Sequence, residues 1–246
     1  MKHILLNMLS RKDTALLFLA FSKRRDPMAL ELVHPKKYVY NRETSSRGIL
    51  GFAEKMLRQQ EYFSNVQPLQ IIQDGDFISA VSHYQGRQSW LGIDILRFCN
   101  NKIVEHWENK IATSFRMKAE LLLPSVVSTK EKKQKTNENK IIAVNFIKEL
   151  YFPKNMKSIW QYTDNQKFMY FNTMESETES GINNSAKISA LMRKRSYQEI
   201  VKVMAEGNQA IVYSKGFIQN KPVTLIDWFT FENNKITIHQ QMADFA

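Results

Sequence analysis

Cysteine and glycine are scarce in this chain of 246 residues, and the few histidines are scattered. The single cysteine, Cys99, excludes an intrachain disulfide framework and a cysteine-based zinc cluster, and it suits a reducing compartment. The five histidines show no metal-binding spacing. With only eight glycines, the chain contains no phosphate loop, dinucleotide fingerprint, zinc-protease motif or serine-hydrolase elbow. We therefore expect no metal and no organic cofactor.

Long hydrophobic runs are also absent. Near the N-terminus, the apolar runs at residues 4–9 and 15–21 are separated by Arg11, Lys12 and Asp13. Neither run is long enough to span a bilayer, and no small-residue cleavage site follows them. We interpret this segment as an amphipathic helix, and we predict a cytoplasmic protein without a membrane partner.

The composition is that of a soluble globular protein with a basic surface. Hydrophobic residues make up 43% of the chain and charged residues 24%, which excludes a disordered or collagen-like protein. The formal net charge of +11 is spread over both halves, in short clusters such as Lys23-Arg24-Arg25, Lys36-Lys37 and Arg193-Lys194-Arg195. We interpret these clusters as solvated surface and helix ends, and we expect no specific nucleic acid partner. Binding of an acidic partner through the basic surface is kept as a weaker alternative.

One polar segment divides the chain into two parts. Residues 128–140 contain no apolar side chain, so they cannot bury surface, and we predict that they form an exposed linker. The predicted domains are residues 1–127 and residues 141–246.

The two halves repeat one another in their turns. Asp74-Gly75-Asp76 precedes a predicted strand in the first half, and Glu206-Gly207-Asn208 precedes one in the second half. Asn100-Asn101 and Asn233-Asn234 each precede a lysine and an isoleucine. Such pairs are typical of hairpin turns because asparagine tolerates positive φ. Each half is therefore predicted to end in a meander of antiparallel strands.

The spacing of polar residues around these turns also repeats. Asp94 and His106 lie on either side of the first asparagine pair, and Asp227 and His239 lie on either side of the second. The two separations are equal, which chance explains poorly. The repeat therefore extends to the side chains that flank the hairpins.

Helical periodicity opens each half. It is clear in residues 12–22 and 141–150, and residues 48–63 are predicted to form a further helix, with residues 185–204 as its counterpart. The polar residues 173–189 are expected to form a long exposed loop. Helices followed by a strand meander indicate an α+β fold in each half.

Several segments of the first half are similar to one family. They are Leu32-Val33-His34-Pro35, Tyr38, Asp74-Gly75-Asp76, Ser82-His83, Ile-Asp-Ile-Leu-Arg-Phe at residues 93–98, and Asn-Lys-Ile-Val-Glu-His-Trp-Glu at residues 101–108. Together they resemble the SnoaL-like branch of the nuclear transport factor 2 (NTF2) superfamily over roughly residues 12–115. The second half resembles the family mainly through the repeat.

The resemblance implies two NTF2-like cone-shaped units. Each would be a curved antiparallel sheet wrapped around N-terminal helices and enclosing a small-molecule pocket. Family members include polyketide cyclases, ketosteroid isomerases, dehydratases, hydrolases and non-catalytic binding modules, so the fold alone does not settle the function. Such units commonly pair through their sheets. The resemblance therefore implies an intrachain pseudo-dimer, with a homodimer as a further option.

Strand alternation and the resemblance together suggest a catalytic site. Asp94 lies in line with apolar residues of its strand, and a buried aspartate is costly unless it is paired or hydrogen-bonded. His106 and Glu108 share one face of the last strand of the first half. In the family, the positions that match Asp94 and Glu108 line the pocket. We therefore expect Asp94, His106 and Glu108 to converge on one cavity.

The chemistry implied is proton abstraction next to a carbonyl group. We expect Glu108 to act as the base with a raised pKa, Asp94 as its partner or acid, and His106 as a proton shuttle. These groups would suffice for an aldol cyclisation or an isomerisation of an apolar carbonyl ligand. The alternative is a non-catalytic ligand-binding or assembly module. In that case the pocket would be blocked by aromatic side chains such as that of Trp107, or the acids would be held in salt bridges with Arg97 or Lys102.

Further residues are candidates for ligand binding. In the first half these are Tyr38, Tyr40, His83, Trp90 and Trp107. The alternatives are packing on the helices for the tyrosines, a partly exposed strand end for His83, and core or interface packing for the tryptophans. In the second half they are Asp227 and His239. Gln241 takes the place of Glu108 there, and an amide cannot act as a general base at neutral pH.

Overall fold

The chain folds into two compact units, residues 1–123 and residues 124–246. The structure is a computed structural model, and it describes residues 9–40, 47–58, 63–112, 132–153, 155, 159–164, 167–172 and 194–245. Each unit combines helices with one five-stranded sheet, so the predicted α+β class is confirmed. Among the described helices, none has the length and apolar character needed to cross a membrane.

The first unit places its helices before a long meander. Its elements are helix α1 (Arg11–Lys23), a 3-10 helix (Pro27–Leu32), strand β1 (Val39–Tyr40), helix α2 (Gly48–Arg58) and strands β2 (Asn65–Asp74), β3 (Phe77–Gln85), β4 (Ser89–Cys99) and β5 (Lys102–Ala112). The sheet order is β1-β5-β4-β3-β2. Strand β1 runs parallel to β5, and the other neighbours are antiparallel.

The second unit follows the same strand order. Its elements are helices α3 (Lys132–Tyr151) and α4 (Ile159–Tyr162) and strands β6 (Met169–Asn172), β7 (Arg195–Glu206), β8 (Gln209–Ile218), β9 (Lys221–Glu232) and β10 (Lys235–Phe245). The sheet order is β6-β10-β9-β8-β7, with β6 parallel to β10. The short strand beside the last long strand is therefore common to both units.

Local signals account for the helices of the first unit. Helix α1 begins where the side chain of Ser10 accepts a hydrogen bond from the Asp13 amide at 3.1 Å, and it buries Ala15, Phe18 and Leu19 on one face. The predicted helix at residues 12–22 is confirmed. The helix predicted at residues 48–63 begins at Gly48 but is described only to residue 58.

Two-residue turns fix the register of the long strands. Asn100 and Asn101 have φ values of 48° and 58°, and Asn233 and Asn234 have values of 49° and 59°. This left-handed conformation matches the twist of the flanking strands, as predicted for the asparagine pairs. A one-residue register shift beyond each turn, next to Phe98 in the first hairpin and next to Ile236 in the second, then sets Asp94 opposite Glu108 and Asp227 opposite Gln241. The turn and the irregularity together therefore set which side chains face one another.

The predicted linker at residues 128–140 is wrong where the structure describes it. Residues 132–140 form the first turns of α3. Asn139 is buried and donates to the Gly207 carbonyl at 2.8 Å, and the Thr136 hydroxyl accepts from the Gly207 amide at 2.8 Å. These polar side chains satisfy the turn between β7 and β8, so a segment without apolar residues is still held in place.

The predicted helix at residues 185–204 is also wrong over its described part. Residues 195–204 belong to β7, which pairs with β8 through two irregularities. Tyr197 and Met204 are buried, whereas Ser196 and Glu199 are exposed. Pairing with a neighbouring strand outweighed the weak helical periodicity. The predicted loop at residues 173–189 lies outside the described residues.

The core of the first unit lies between its helices and the inner face of the sheet. Phe18 of α1 stacks on Phe52 of α2 with ring centroids 5.3 Å apart, and Tyr38 lies 5.0 Å from Phe52. His106 of β5 meets the ring of Phe18 edge-on at 5.3 Å. The apolar core therefore borders directly on the candidate site residues.

Candidate functional site

Strands β4 and β5 bring the three predicted catalytic residues together. Asp94 lies opposite Glu108, and His106 lies two residues before Glu108 on the same face. All three side chains are buried, and one ligand atom from each lies within 4.8 Å of the others. The alternation predicted from the sequence places them on one face of adjacent strands.

Lys23, the last residue of α1, is a member of this cluster that sequence reasoning missed. Its ammonium lies 2.7 Å from Glu108 Oε1 and 3.6 Å from Asp94 Oδ1, and its side chain is 3% exposed. The interpretation of Lys23-Arg24-Arg25 as solvated surface is therefore wrong for Lys23. A signal was present, because Lys23 follows Leu19 by four residues and so shares the buried face of α1.

Glu108 accepts further contacts from three side chains. Lys55 of α2 lies 3.3 Å from Oε2, and the Tyr40 hydroxyl donates to the same oxygen at 3.1 Å. Lys110 Nζ lies 3.7 Å from Oε1. The Lys55 ammonium also lies 3.1 Å from the centroid of the Tyr40 ring, which is a cation–π contact. Sequence reasoning also missed Lys55, although it follows the buried Phe52 by one helical turn.

The pKa values of the two acids shift in the direction opposite to the one expected. Burial alone would raise the pKa of Glu108, but the charges of Lys23 and Lys55 outweigh burial and lower that pKa well below its usual value. Burial opposes ionisation of Asp94 in the same way, and Lys23 and His106 lower its pKa. The expectation of a raised carboxyl pKa is therefore wrong, and both acids are carboxylates at neutral pH.

The two closest lysines respond differently to burial. Burial alone would lower the pKa of Lys23, but Asp94 and Glu108 outweigh it, and the pKa is raised. Burial lowers the pKa of Lys55 to about 8, with Glu108 opposing the shift and Lys23 adding to it. Lys23 is therefore a permanent cation, whereas Lys55 is close to its titration point at neutral pH.

His106 has a hydrogen-bonding partner on each ring nitrogen. Its Nε2 lies 2.6 Å from Asp94 Oδ1, and its Nδ1 lies 3.3 Å from the Tyr38 hydroxyl. Burial lowers the pKa of His106 to about 4, aided by Lys55 and opposed by Asp94. Because the ring is neutral and Asp94 is ionised, we assign the proton to Nε2, and Nδ1 accepts from Tyr38. With both nitrogens engaged, His106 holds the Asp94 carboxylate in position.

Tyr84 of β3 completes the environment of Asp94, and a glycine makes room for it. The Tyr84 hydroxyl donates to Asp94 Oδ2. The ring crosses over Gly92, where an added Cβ would lie 2.0 Å from the ring edge. The Lys23 ammonium lies 4.9 Å from the centre of the same ring. The absence of a side chain at Gly92 therefore allows this contact.

The donor set of Asp94, His106 and Glu108 is of a kind that metal ions use. Two observations argue against this use. The Lys23 ammonium contacts both carboxylates, and His106 Nε2 points at Asp94. A metal ion would have to displace an ammonium group that already neutralises the acids. The residues present therefore fit a lysine-centred cluster better than a metal site.

The other predicted ligand-binding residues of this unit fall on two sides of the sheet. Tyr38, Tyr40 and Trp90 lie with the cluster, and the Lys110 ammonium lies 5.7 Å from the Trp90 ring. His83 and Trp107 lie on the opposite face, because the side chains of a strand alternate and their neighbours Tyr84 and His106 face the cluster.

The acids are not paired with the residues that the non-catalytic alternative names. Arg97 pairs with Glu105 on the opposite face of the sheet. The Lys102 ammonium donates to the Glu31 carbonyl. Glu108 and Asp94 are instead held by lysines of the two helices, as described above.

The second unit builds a related network on β9 and β10. His239 Nε2 lies 2.8 Å from Asp227 Oδ1, and both residues are buried. The Tyr197 hydroxyl donates to Asp227 Oδ2 at 2.8 Å. Gln241 takes the position of Glu108, donates to Asp227 Oδ1 at 2.8 Å, and accepts from Tyr170 at 2.8 Å. The neutral amide of Gln241 thus occupies the position that the Glu108 carboxylate holds in the first unit.

Comparison with known proteins gives structural neighbours only. No protein-family model and no curated protein sequence matches the chain. Similar solved structures include an NTF2-like protein of unknown function from Cytophaga hutchinsonii (16% identity, 50% of this chain and 95% of that chain, TM-score 0.36). Another is a provisionally assigned ketosteroid isomerase from Kribbella flavida (11% identity, 46% of this chain and 82% of that chain, TM-score 0.39). A third is an LEH-like epoxide hydrolase from M. tuberculosis (15% identity, 44% of this chain and 84% of that chain, TM-score 0.36).

The sheets themselves carry the fold assignment. In each unit, helices precede a meander of four long antiparallel strands, and a short strand runs parallel to the last of them. Each unit therefore has the α+β arrangement that the resemblance to the NTF2 superfamily implies. The low identities to the solved structures transfer no activity to this chain, so function has to be argued from the two sites.

The two units differ at one pair of positions next to their buried histidines. Phe18 and Phe146 hold the same place, since each meets the edge of its unit's buried histidine. Five residues later along each helix, the first unit has Lys23 and the second has Tyr151. Tyr151 lies 3.4 Å from Gln241 Nε2, where the first unit has the Lys23–Glu108 ion pair. A buried ion pair in one unit therefore corresponds to a neutral hydrogen bond in the other.

Proposed function

We propose that the first NTF2-like unit catalyses proton transfer on a small apolar carbonyl compound without a cofactor, as in an aldol cyclisation or an isomerisation. The observation that carries the proposal is the charged cluster of Lys23, Lys55, Asp94 and Glu108, compared with the neutral Tyr151–Gln241 pair of the second unit.

The comparison matters because buried charges are expensive. Removing two charges from water costs several kcal/mol for each ion, and replacing a buried pair with neutral groups is often neutral or stabilising. The second unit shows that this fold forms with Tyr151 and Gln241 at the same positions. The second unit has instead a buried cation, Arg195, which donates to the Tyr170 hydroxyl at 2.7 Å. The fold therefore does not depend on this particular ion pair, and chemistry is the reason we assign to Lys23 and Glu108.

The outer edge of the cluster has the groups that proton transfer requires. Lys55 and Tyr40 both contact Glu108 Oε2, and the Lys55 side chain is 17% exposed. A substrate carbonyl oxygen can take the hydrogen bonds of Lys55 and Tyr40 in place of Glu108. The carboxylate then loses two donors, so its basicity rises at the moment when an ammonium faces the oxygen that becomes an enolate.

The roles within the cluster follow from depth. Glu108 is the proposed base, and Lys55 and Tyr40 are the proposed stabilisers of the enolate oxygen. Asp94 and His106 lie deeper than Glu108, and Asp94 is ionised whereas His106 is neutral. We therefore assign them positioning roles: Asp94 holds the Lys23 ammonium, and His106 holds the Asp94 carboxylate. Aromatic rings next to the lysines, such as that of Trp90, favour an apolar substrate.

The test is the exchange of α-protons for deuterium in a panel of apolar ketones and aldehydes, followed by NMR. We expect Glu108→Gln to reduce the rate at least about 100-fold, the scale of a general base. Glu105→Gln is the matched control, because Glu105 lies on the opposite face of the same strand. Equal rates for wild type and folded Glu108→Gln across the panel would overturn the proposal.

A further inference from the structure

The two lysines on Glu108 differ in how they are held. Lys23 contacts two carboxylates and is almost fully enclosed. Lys55 pairs with Glu108 at 3.3 Å, lies against the face of the Tyr40 ring, and is partly open to solvent. The geometry therefore gives Lys23 a fixed position and leaves the Lys55 nitrogen within reach of a small molecule.

We propose that Lys55 is a nucleophile whose neutral amine condenses with an apolar aldehyde or ketone to form an imine. The inference rests on the proposed function, because it uses the same cluster and the same carbonyl substrate. It extends that function from hydrogen bonding at the carbonyl oxygen to a covalent intermediate.

The steps balance without an oxidant, a reductant or a further reactant. The Lys55 ammonium first gives a proton to Glu108, its hydrogen-bonding partner. The neutral nitrogen attacks the carbonyl carbon and a C–N bond forms, while the carbonyl π bond breaks and its oxygen takes from Glu108 the proton that Lys55 gave. A second amine proton then passes to Glu108 and from there to the hydroxyl group, which departs as water and leaves a protonated C=N bond. The protonated imine then accepts the electron pair when an α-proton is removed.

Burial and a neighbouring cation supply the neutral amine. Burial lowers the pKa of Lys55 to about 8, and Lys23, bound to the other oxygen of Glu108, acts in the same direction. A lysine with this pKa is neutral in roughly one molecule in ten at pH 7, a fraction roughly 200-fold larger than for an unperturbed lysine. A desolvated lysine next to a second cation is a recognised way to activate an amine.

The experiment is reductive trapping on the full chain. The protein is treated with butanal and sodium cyanoborohydride at several pH values, and peptide mapping by mass spectrometry gives the alkylation rate of each lysine. We expect Lys55 to react at least about tenfold faster than the exposed Lys36, despite its burial, and Lys23 to remain unmodified. A rate at Lys55 equal to or below that of Lys36 would overturn the inference.

Two variants keep the test sharp. Lys55→Arg retains a cation for Glu108 but cannot form an imine, so labelling at position 55 is lost. Glu108→Gln removes a group that raises the pKa of Lys55, so the pH midpoint of labelling falls below that of wild type. A midpoint that does not move in folded Glu108→Gln would contradict the assignment. If this variant does not fold, the rates of Lys55 and Lys36 in the wild type still decide the inference.

The α-proton exchange assay separates this inference from the proposed function. If Glu108→Gln abolishes exchange but Lys55 of the wild type is not labelled, the imine is excluded and the proton-transfer function stands. If Lys55 is labelled and Lys55→Arg abolishes exchange, both are supported. If Lys55 is labelled but no compound exchanges its α-protons, amine reactivity stands and the proposed function fails.

Discussion

Exchanging the charged pair of the first unit for the neutral pair of the second tests the central comparison. The perturbation is a double-mutant cycle of Lys23→Tyr and Glu108→Gln in the first unit. The double variant carries the residues found at Tyr151 and Gln241. Each unit offers an aromatic ring at this position, although from a different strand: Lys23 lies over the Tyr84 ring of β3, and Tyr151 stacks on the Tyr197 ring of β7 at 4.5 Å.

The magnitude follows from the partners that remain after each change. Removing one member of a buried ion pair costs about 3–5 kcal/mol. Lys23→Tyr leaves Glu108 with Lys55 and Lys110, and Glu108→Gln leaves Lys23 with Asp94 at 3.6 Å. We therefore expect the lower end, about 3 kcal/mol for each single variant. The double variant should cost no more than either single one, which is at least about 3 kcal/mol less than their sum.

Hydrogen exchange followed by mass spectrometry is the appropriate assay, because it resolves the two units. A loss of 3 kcal/mol raises the exchange rate of protected amides in β4 and β5 by roughly 150-fold. The amides of β9 and β10 serve as an internal control. Glu105→Gln breaks a partly exposed pair and should cost less than about 1 kcal/mol. The reasoning would be refuted if Lys23→Tyr and Glu108→Gln each cost less free energy of unfolding than Glu105→Gln. It would also be refuted if the cost of the double variant equalled the sum of the costs of the two single variants.

Two further predictions concern the neighbours of Asp94. Gly92→Ala should push the Tyr84 ring off Asp94 and destabilise the first unit by about 2–3 kcal/mol. The control Gly75→Ala, at a hairpin turn with open space around it, should cost about 1 kcal/mol. Equal losses of unfolding free energy in chemical unfolding would contradict this prediction. The pKa of His106 is lowered to about 4 in the folded protein, so protonation of its ring favours the unfolded chain. The stability that the neutral ring contributes is complete above about pH 6.5. It is lost as the pH falls towards 4, and the loss reaches about 3 kcal/mol. An NMR titration of the His106 ring that shows a midpoint above pH 6 would disprove it.

Some of the candidate site could be predicted because it depends on neighbours in sequence. The asparagine pairs fix two-residue hairpins, and strand alternation places His106 and Glu108 on one face of β5. The register shift next to Phe98, which the sequence does not predict, brings that face to Asp94. The same argument holds for Asp227 and His239. These are short-range consequences of turn chemistry and of the two-residue period of a strand.

The lysines of the cluster could not be predicted in this way. Lys23 and Lys55 lie on helices far from β4 and β5 in sequence, and Lys23 is followed by two exposed arginines that make the segment look solvated. The charges of these lysines reverse the expected shift in the pKa values of Asp94 and Glu108, because nearby ammonium groups outweigh the effect of burial. The polar residues 132–140 misled for a related reason, since Asn139 and Thr136 bind a turn that is distant in sequence.

The sequence by itself determined the α+β class, the position of a helix at the start of each half, and the hairpin turns that follow Asp94 and Asp227. These features follow from local turn conformations and from hydrophobic periodicity. Only the tertiary structure decided the charge state of the site, because that depends on the packing of α1 and α2 against the sheet. The same packing brings Lys23 and Lys55 to Glu108 in one unit, while Tyr151 meets Gln241 in the other.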